Sequence, residues 1–270
     1  MAEKKKTTFV ARETAAAVTQ PSPTNPQVEK LVDTLANNGR LILYVLGGLL
    51  ALGILASLFY AWQNRTNNAA QAALGKAIEI NEAQVSASPI PNNPAPVYAT
   101  ERERSEKAIA AFEDVASKYG SPYREKAQYF IALNRLKIDR EAGLKELEGL
   151  SNNGGGEVGT LSKFALAEAR AAEGKSDEAV NLYNDLIKQN SSIIPIETLN
   201  FALASIYEKQ GKTTEAADIY FNLAKTAREA KDVDGKPVTQ SLTAREAARK
   251  LEKLDAAKFQ QLPPEPSALD

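Results

Sequence analysis

The sequence predicts an all-α chain: a single transmembrane helix, then an α-solenoid of about 3.5–4 helix pairs closed by a C-terminal capping helix. Three observations predict it. Alanine is the commonest residue, Glu, Lys and Leu are abundant, and β-branched runs are few; this is a composition of helices. Residues 41–62 carry no charge. Beyond residue 100, one small and two large residues recur at helical spacing, the mark of a repeat array.

Composition also excludes chemistry. The 270 residues include no Cys and no His, and the net charge is -1. Without Cys there are no disulfides, thiolate nucleophiles, zinc fingers, iron–sulfur clusters or cysteine-linked lipids. Without His the commonest general base and metal ligand is missing. The near-neutral charge argues against a dedicated nucleic-acid binder.

Five segments follow in order. Residues 1–40 read as a disordered tail that begins with Lys4, Lys5 and Lys6 and contains Pro21, Pro23 and Pro26. A marginal helix over 27–36 is allowed by Val28, Leu31, Val32 and Leu35. Residues 41–62 (LILYVLGGLLALGILASLFYAW) are about 33 Å long as a helix, enough to span a bilayer core. Arg40 and Arg65 bracket the run, and Tyr44, Tyr60 and Trp62 sit near its ends, where an aromatic belt belongs. The leader before it is too long for a cleaved signal peptide, so the run reads as a signal anchor in contact with lipid. Six Lys and Arg precede the span, while only Arg65 and Lys76 closely follow it. This bias predicts a cytoplasmic N-terminus and a periplasmic or extracytoplasmic C-terminal domain at the inner membrane.

Residues 63–99 predict a juxtamembrane helix over 67–85, striped by Leu74, Ala77, Ile78 and Val85. A loop follows, because Pro89, Pro91, Pro94 and Pro96 leave no room for a helix.

Residues 100–256 hold the repeats. The small-large-large sets are Ala108, Phe112 and Val115; Gly143, Leu147 and Leu150; Ala179, Tyr183 and Leu186; and Ala216, Tyr220 and Leu223. They recur after 35, 36 and 37 residues, and offsets of four and three place each set on one helix face. The last three are each preceded by a helix with a small residue, at Ala132, Ala167 and Ala204. Short turns at 138–140, 174–176 and 211–213 join the helices. Residues 151–159 (SNNGGGEVG) read as a flexible joint.

This helix-turn-helix array resembles the tetratricopeptide repeat (TPR), which makes the predicted solenoid TPR-like. The clearest copy carries Ala204, Tyr207, Gly211, Ala216 and Tyr220. The next is Ala167, Gly174, Ala179 and Tyr183, with Arg170 where Tyr is expected. The copy around Ala132 and Gly143 is degenerate. Residues 239–254 supply a capping helix, with Leu242, Ala247, Leu251 and Leu254 on its inner side. Residues 257–270 read as a flexible tail.

The resemblance implies peptide or protein binding in a groove lined by the first helices. Tyr129, Phe164 and Phe201 each stand three residues before the small residue. With Arg135, Glu168, Glu208 and Lys209 they form the candidate peptide-binding face. The same aromatic spacing also suits packing against the next repeat. Glu101, Glu103 and Glu106 read as a solvated helix start. Residues 154–156 lack the lysine of a phosphate loop. No catalytic, cofactor or metal site is expected.

The layout of short tail, anchor and repeats resembles the bacterial single-pass TPR family that serves as an ancillary subunit of the Sec translocon. That resemblance implies contact with the translocon and periplasmic chaperones. A longer tail and the insert at 89–96 depart from it. The other reading is an assembly factor for another membrane or cell-division complex.

Overall fold

The computed structural model describes residues 39–88, 96–154 and 156–265, with side chains from Leu52 onward. The expected tail and marginal helix before residue 39, and most of the proline insert, lie outside them. Two units are resolved, Met1–Asn64 and Arg65–Asp270.

In the first unit the backbone from Gly39 is helical and belongs to α1 (Gly39–Asn81), which is 43 residues long. Every side chain from 52 to 62 is exposed. Among the described residues no helix is long and apolar enough to cross a membrane. Side chains 41–51, half of the uncharged run, fall outside that description.

The second unit is a stack of helices. The C-terminal part of α1 buries Leu74 and Ala77 against Ala108, Ile109, Phe112 and Val115 of α2 (Glu101–Lys118) and Ala127 and Ile131 of α3 (Tyr123–Ile138). Ile78 is only partly buried, and Val85 has left the helix. Two parallel two-residue strands, β1 (Gln84–Val85) and β2 (Val97–Tyr98), pair Gln84 with Val97 and Val85 with Tyr98. Just before the ladder, the Arg104 guanidinium donates to the Ala83 carbonyl at 3.0 Å. Thr100 caps α2 by accepting from the Glu103 amide at 3.1 Å, a bond that satisfies one orphan donor.

Pairs then follow in sequence. Asp139 both ends α3 and caps α4 (Arg140–Asn153), its carboxylate accepting from the Ala142 amide at 3.1 Å. One residue can serve both helices because its backbone is neither helical nor extended. α5 (Gly156–Ala172) pairs with α6 (Ser176–Gln189), and α7 (Ile196–Lys209) with α8 (Thr213–Glu229). The turns at Gly174 (φ 75) and Gly211 (φ 74) are built alike. Lys175 N–H donates to the Arg170 carbonyl at 3.0 Å, and Lys212 N–H to the Tyr207 carbonyl at 2.9 Å. Such turns need a left-handed residue, which glycine supplies without a side-chain clash.

The small residues of the repeat are where helices touch: Ala108, Ala132, Ala167, Ala179, Ala204 and Ala216 are all fully buried. Tyr183 and Tyr220 are buried beside them, in separate clusters of the core.

Three expectations are corrected. The described residues of 151–159 are mostly helical where a joint was expected. α4 runs to Asn153 and α5 starts at Gly156, and a Cβ on Gly159 would meet the Gly154 carbonyl oxygen at 2.2 Å. These glycines allow backbone contact, and their run in the sequence mimics a linker. In the capping helix α9 (Leu242–Leu254), Leu242 is 77% exposed, while Ala244, Ala247, Ala248 and Leu251 are buried. Ala247 and Leu251 lie inside as expected and Leu254 packs against the same cluster, so only Leu242 departs from the expected stripe. The tail after 256 is held through Glu265: α10 (Ala256–Phe259) and Leu262 pack on α8 and α9, and Arg228 donates to the Pro263 carbonyl at 2.6 Å. The terminal 266–270 lie outside the described residues.

Candidate functional site

The first helices of the pairs, α3, α5 and α7, bring the aromatic positions into a series. All three rings are half-buried. Each touches another ring: Tyr129 meets Phe130 at 5.6 Å, Phe164 meets Tyr183 at 5.9 Å, and Phe201 meets Tyr220 at 5.5 Å. Phe164 and Phe201 therefore pack within their own repeat, edge-on or tilted, a favourable arrangement for aromatic pairs. Part of each ring remains for a partner.

The polar members divide. Arg135 binds Glu113 of α2 at 2.9 Å and Glu146 of α4, so its planar fork ties three helices together. Glu208 accepts from the Tyr220 hydroxyl at 3.0 Å and from Lys250 of α9 at 3.1 Å, tying α7, α8 and the cap. Lys209 is exposed at the end of α7. Glu168 is exposed too and, among the described residues, has no ion-pair or hydrogen-bond partner.

The surroundings of Glu168 perturb its acidity. Desolvation holds its carboxyl above the usual range. Burial raises the Tyr129 and Tyr183 phenols, and the Glu168 charge raises both further. Tyr220, by contrast, is pushed up to about 12 by burial, with Glu208 adding to it and Ser205 opposing it.

Arg170 also finds its explanation. It occupies the tyrosine position of its repeat but binds Glu173 at 3.2 Å and Glu178 at 3.1 Å. Arg140 of α4 joins the same Glu173 at 2.9 Å. Charge there replaces the aromatic contact at the seam between pairs.

Among the described residues, two of the cavities lie beside the helix pairs. One of about 530 Å³ lies between α7, α8 and the loop before α9, lined by Ile196, Asn200, Leu223, Thr226 and Val238 among others. The other, about 570 Å³, lies between α2, α3 and α4, with Ile131, Arg135, Glu146 and Leu150 in its wall. Sequence reasoning missed the first. Its loop is shaped by Asp232, whose carboxylate accepts from the Asp234 and Lys236 amides at 2.9 Å, and by Gly235 (φ 78). The Asp-Gly dipeptide was the available signal. Among the described residues no cluster of acidic side chains suits a metal ion.

Tetratricopeptide repeat models match residues 162–192 and 198–234. No curated protein matches the chain. Among solved structures, the chain is similar to nearly identical TPR-like repeats from a Podosopora anserina protein assigned as a kinesin light chain. Identity is 16%, coverage 71% of this chain and 87% of that one, and the TM-score 0.48. A point variant of the same repeats matches with the same figures. The two matched stretches coincide with the helix pairs α5–α6 and α7–α8.

Proposed function

We propose that this chain is a non-enzymatic, membrane-anchored scaffold. Its repeats hold a polypeptide partner along α3, α5 and α7. The matched repeats at 162–192 and 198–234 carry the reading, because stacked helix pairs present an extended surface for protein contact. The anchor is argued from α1. Leu52, Ile54, Leu55, Leu58, Phe59, Tyr60 and Trp62 are 51–68% exposed. Each large apolar side chain left in water forgoes about 2 kcal/mol. Their exposure on every side of the uncharged run 41–62 of α1 fits lipid contact. The positive tail favours a cytoplasmic N-terminus and an extracytoplasmic repeat domain. The resemblance to the ancillary Sec translocon subunit makes protein translocation or envelope quality control the favoured setting.

Two measurements test this. Protease added to spheroplasts should degrade the C-terminal domain; protection of that domain refutes the orientation. A photocrosslinker at Lys163 or Lys209, on α5 and α7, should trap a translocon subunit or periplasmic chaperone. Trapping only other assemblies would move the function to another membrane or cell-division complex, and trapping nothing would remove the scaffold reading.

A further inference from the structure

Another cavity, of about 350 Å³, opens against the exposed face of the capping helix α9. Arg228 from the end of α8, Leu242, Arg245 and Arg249 from α9, Phe259 from α10 and Glu265 beyond it stand in its wall. No residue of α3, α5 or α7 lines it, so it is separate from the surface along those helices.

The three guanidinium groups differ in what they hold. The Arg228 side chain is only 7% exposed. Its head donates to the Pro263 carbonyl at 2.6 Å and to the Glu265 carboxylate at 3.2 Å, and it lies 5.7 Å from the centre of the Phe259 ring. Arg228 therefore already grips a main-chain carbonyl and, two residues on, a carboxylate. Arg249 is paired with Glu246, one turn before it on α9. Arg245 is exposed and has no ion-pair or hydrogen-bond partner among the described residues. Leu242, 77% exposed, stands one turn before Arg245 on the same helix face.

Glu252 is the other acidic member of the wall. Three arginines thus face two glutamates, and one of these, Glu265, has a side chain 70% exposed. An exposed ion pair contributes little to stability and is readily exchanged. A guanidinium is best satisfied by a carboxylate, which it can meet with two parallel bonds. A basic side chain entering the cavity would meet three like charges, and a purely apolar one would cover Arg245 unpaired.

We infer that this cavity receives an acidic side chain of a partner polypeptide, with Arg245 and Arg249 as donors and Leu242 against the residue beside it. Glu265 is the internal stand-in: it occupies Arg228 until an outside carboxylate displaces it. Charge complementarity names the occupant, and the segment from Pro263 to Glu265 already meets Arg228 in this way.

The full chain in nonionic detergent, with its arginine Nε–H resonances observed by NMR, provides the test. The probe is acetyl-Leu-Glu-Glu-amide, with acetyl-Leu-Gln-Gln-amide as its uncharged twin. The acidic peptide should shift the Arg245 and Arg249 signals at about millimolar concentration, about tenfold below any effect of the twin. Glu265→Gln frees Arg228 and should tighten the acidic peptide about two- to fivefold, the contribution of an exposed pair. Arg245→Gln combined with Arg249→Gln should weaken it about tenfold, read on the Arg228 signal. Equal response to the two peptides, or response to neither, overturns the proposal. So does a Glu265→Gln chain that binds the acidic peptide no tighter, or a double variant that binds it unchanged. All three substituted residues are exposed; should the double variant lose its helicity, Glu265→Gln decides alone. None of these outcomes bears on the crosslinks from α5 and α7, which test the scaffold reading.

Discussion

Gly143 of α4 packs directly on the backbone at Leu136 of α3: a Cβ there would stand 2.4 Å from the Leu136 nitrogen. That contact is the degenerate counterpart of the alanine contacts in the later repeats. Two helices that meet backbone to backbone leave no room for one added carbon, and close-packed interiors relax only partly.

Gly143→Ala should therefore destabilise the chain by about 1–3 kcal/mol. Gly149→Ala, two turns along the same helix with nothing near its would-be Cβ, should be neutral or stabilise by up to about 1 kcal/mol. Urea unfolding of the pair distinguishes packing from helix propensity. Equal effects would show that the α3–α4 contact is loose.

Gly174 and Gly211 test the turns. Both hold left-handed backbone in identical bonding patterns. Alanine at either should cost about 1–2 kcal/mol, and asparagine less. Thermal unfolding followed by circular dichroism measures it. The two costs should be alike.

Alkali should open the C-terminal repeats. Tyr220 titrates at about 12 in the folded chain against an ordinary 10, and Tyr183 is raised in the same direction. The folded state holds these protons more tightly. Its advantage is therefore complete below pH 10 and is lost as pH climbs from 10 toward 12. Tyr220→Phe loses the bonds to Ser205 and Glu208, about 1 kcal/mol at neutral pH, and should flatten that alkaline decline. Tyrosinate absorbance against pH, beside helicity, reads both.

Glu168 has the same sign at the acid end. Its carboxyl is raised by desolvation, so stability is greatest with the proton on and falls as pH rises through the carboxyl's own range. Glu168→Gln should melt higher than the parent at neutral pH and converge with it in acid. A lower melting temperature at neutral pH would show an unseen favourable partner.

The C-terminal strap gives the last prediction. Leu262 is 9% exposed within the cluster of α8 and α9, so Leu262→Ala should cost about 2 kcal/mol. Deleting everything after Leu254 should cost more, because Arg228 also loses the Pro263 carbonyl and Glu265.

Periodicity made the helix pairs legible. The small residues at Ala167, Ala179, Ala204 and Ala216, and the glycines after α5 and α7, are local signals that survive folding unchanged. The recurring aromatics of α3, α5 and α7 were legible as positions, and the partners of the charges were not. Arg135 and Glu208 look like groove residues by spacing, yet their partners Glu113, Glu146 and Lys250 come from neighbouring helices. Spacing within one helix gives no access to those partners. The stretch 151–159 misled for a related reason: glycine is chosen both for freedom and for closeness, and only a neighbour reveals which.

By itself, then, the sequence determined an all-α repeat architecture with an uncharged run ahead of it, because helix period, small-residue spacing and turn glycines act over a few residues. The tertiary structure decided which charges are neutralised internally and which remain. It matched Glu208 to Lys250 and left Glu168 exposed on α5. Ion pairing and desolvation are set by what the neighbouring helix brings within a few ångströms, and that distance exists only once the pairs have stacked.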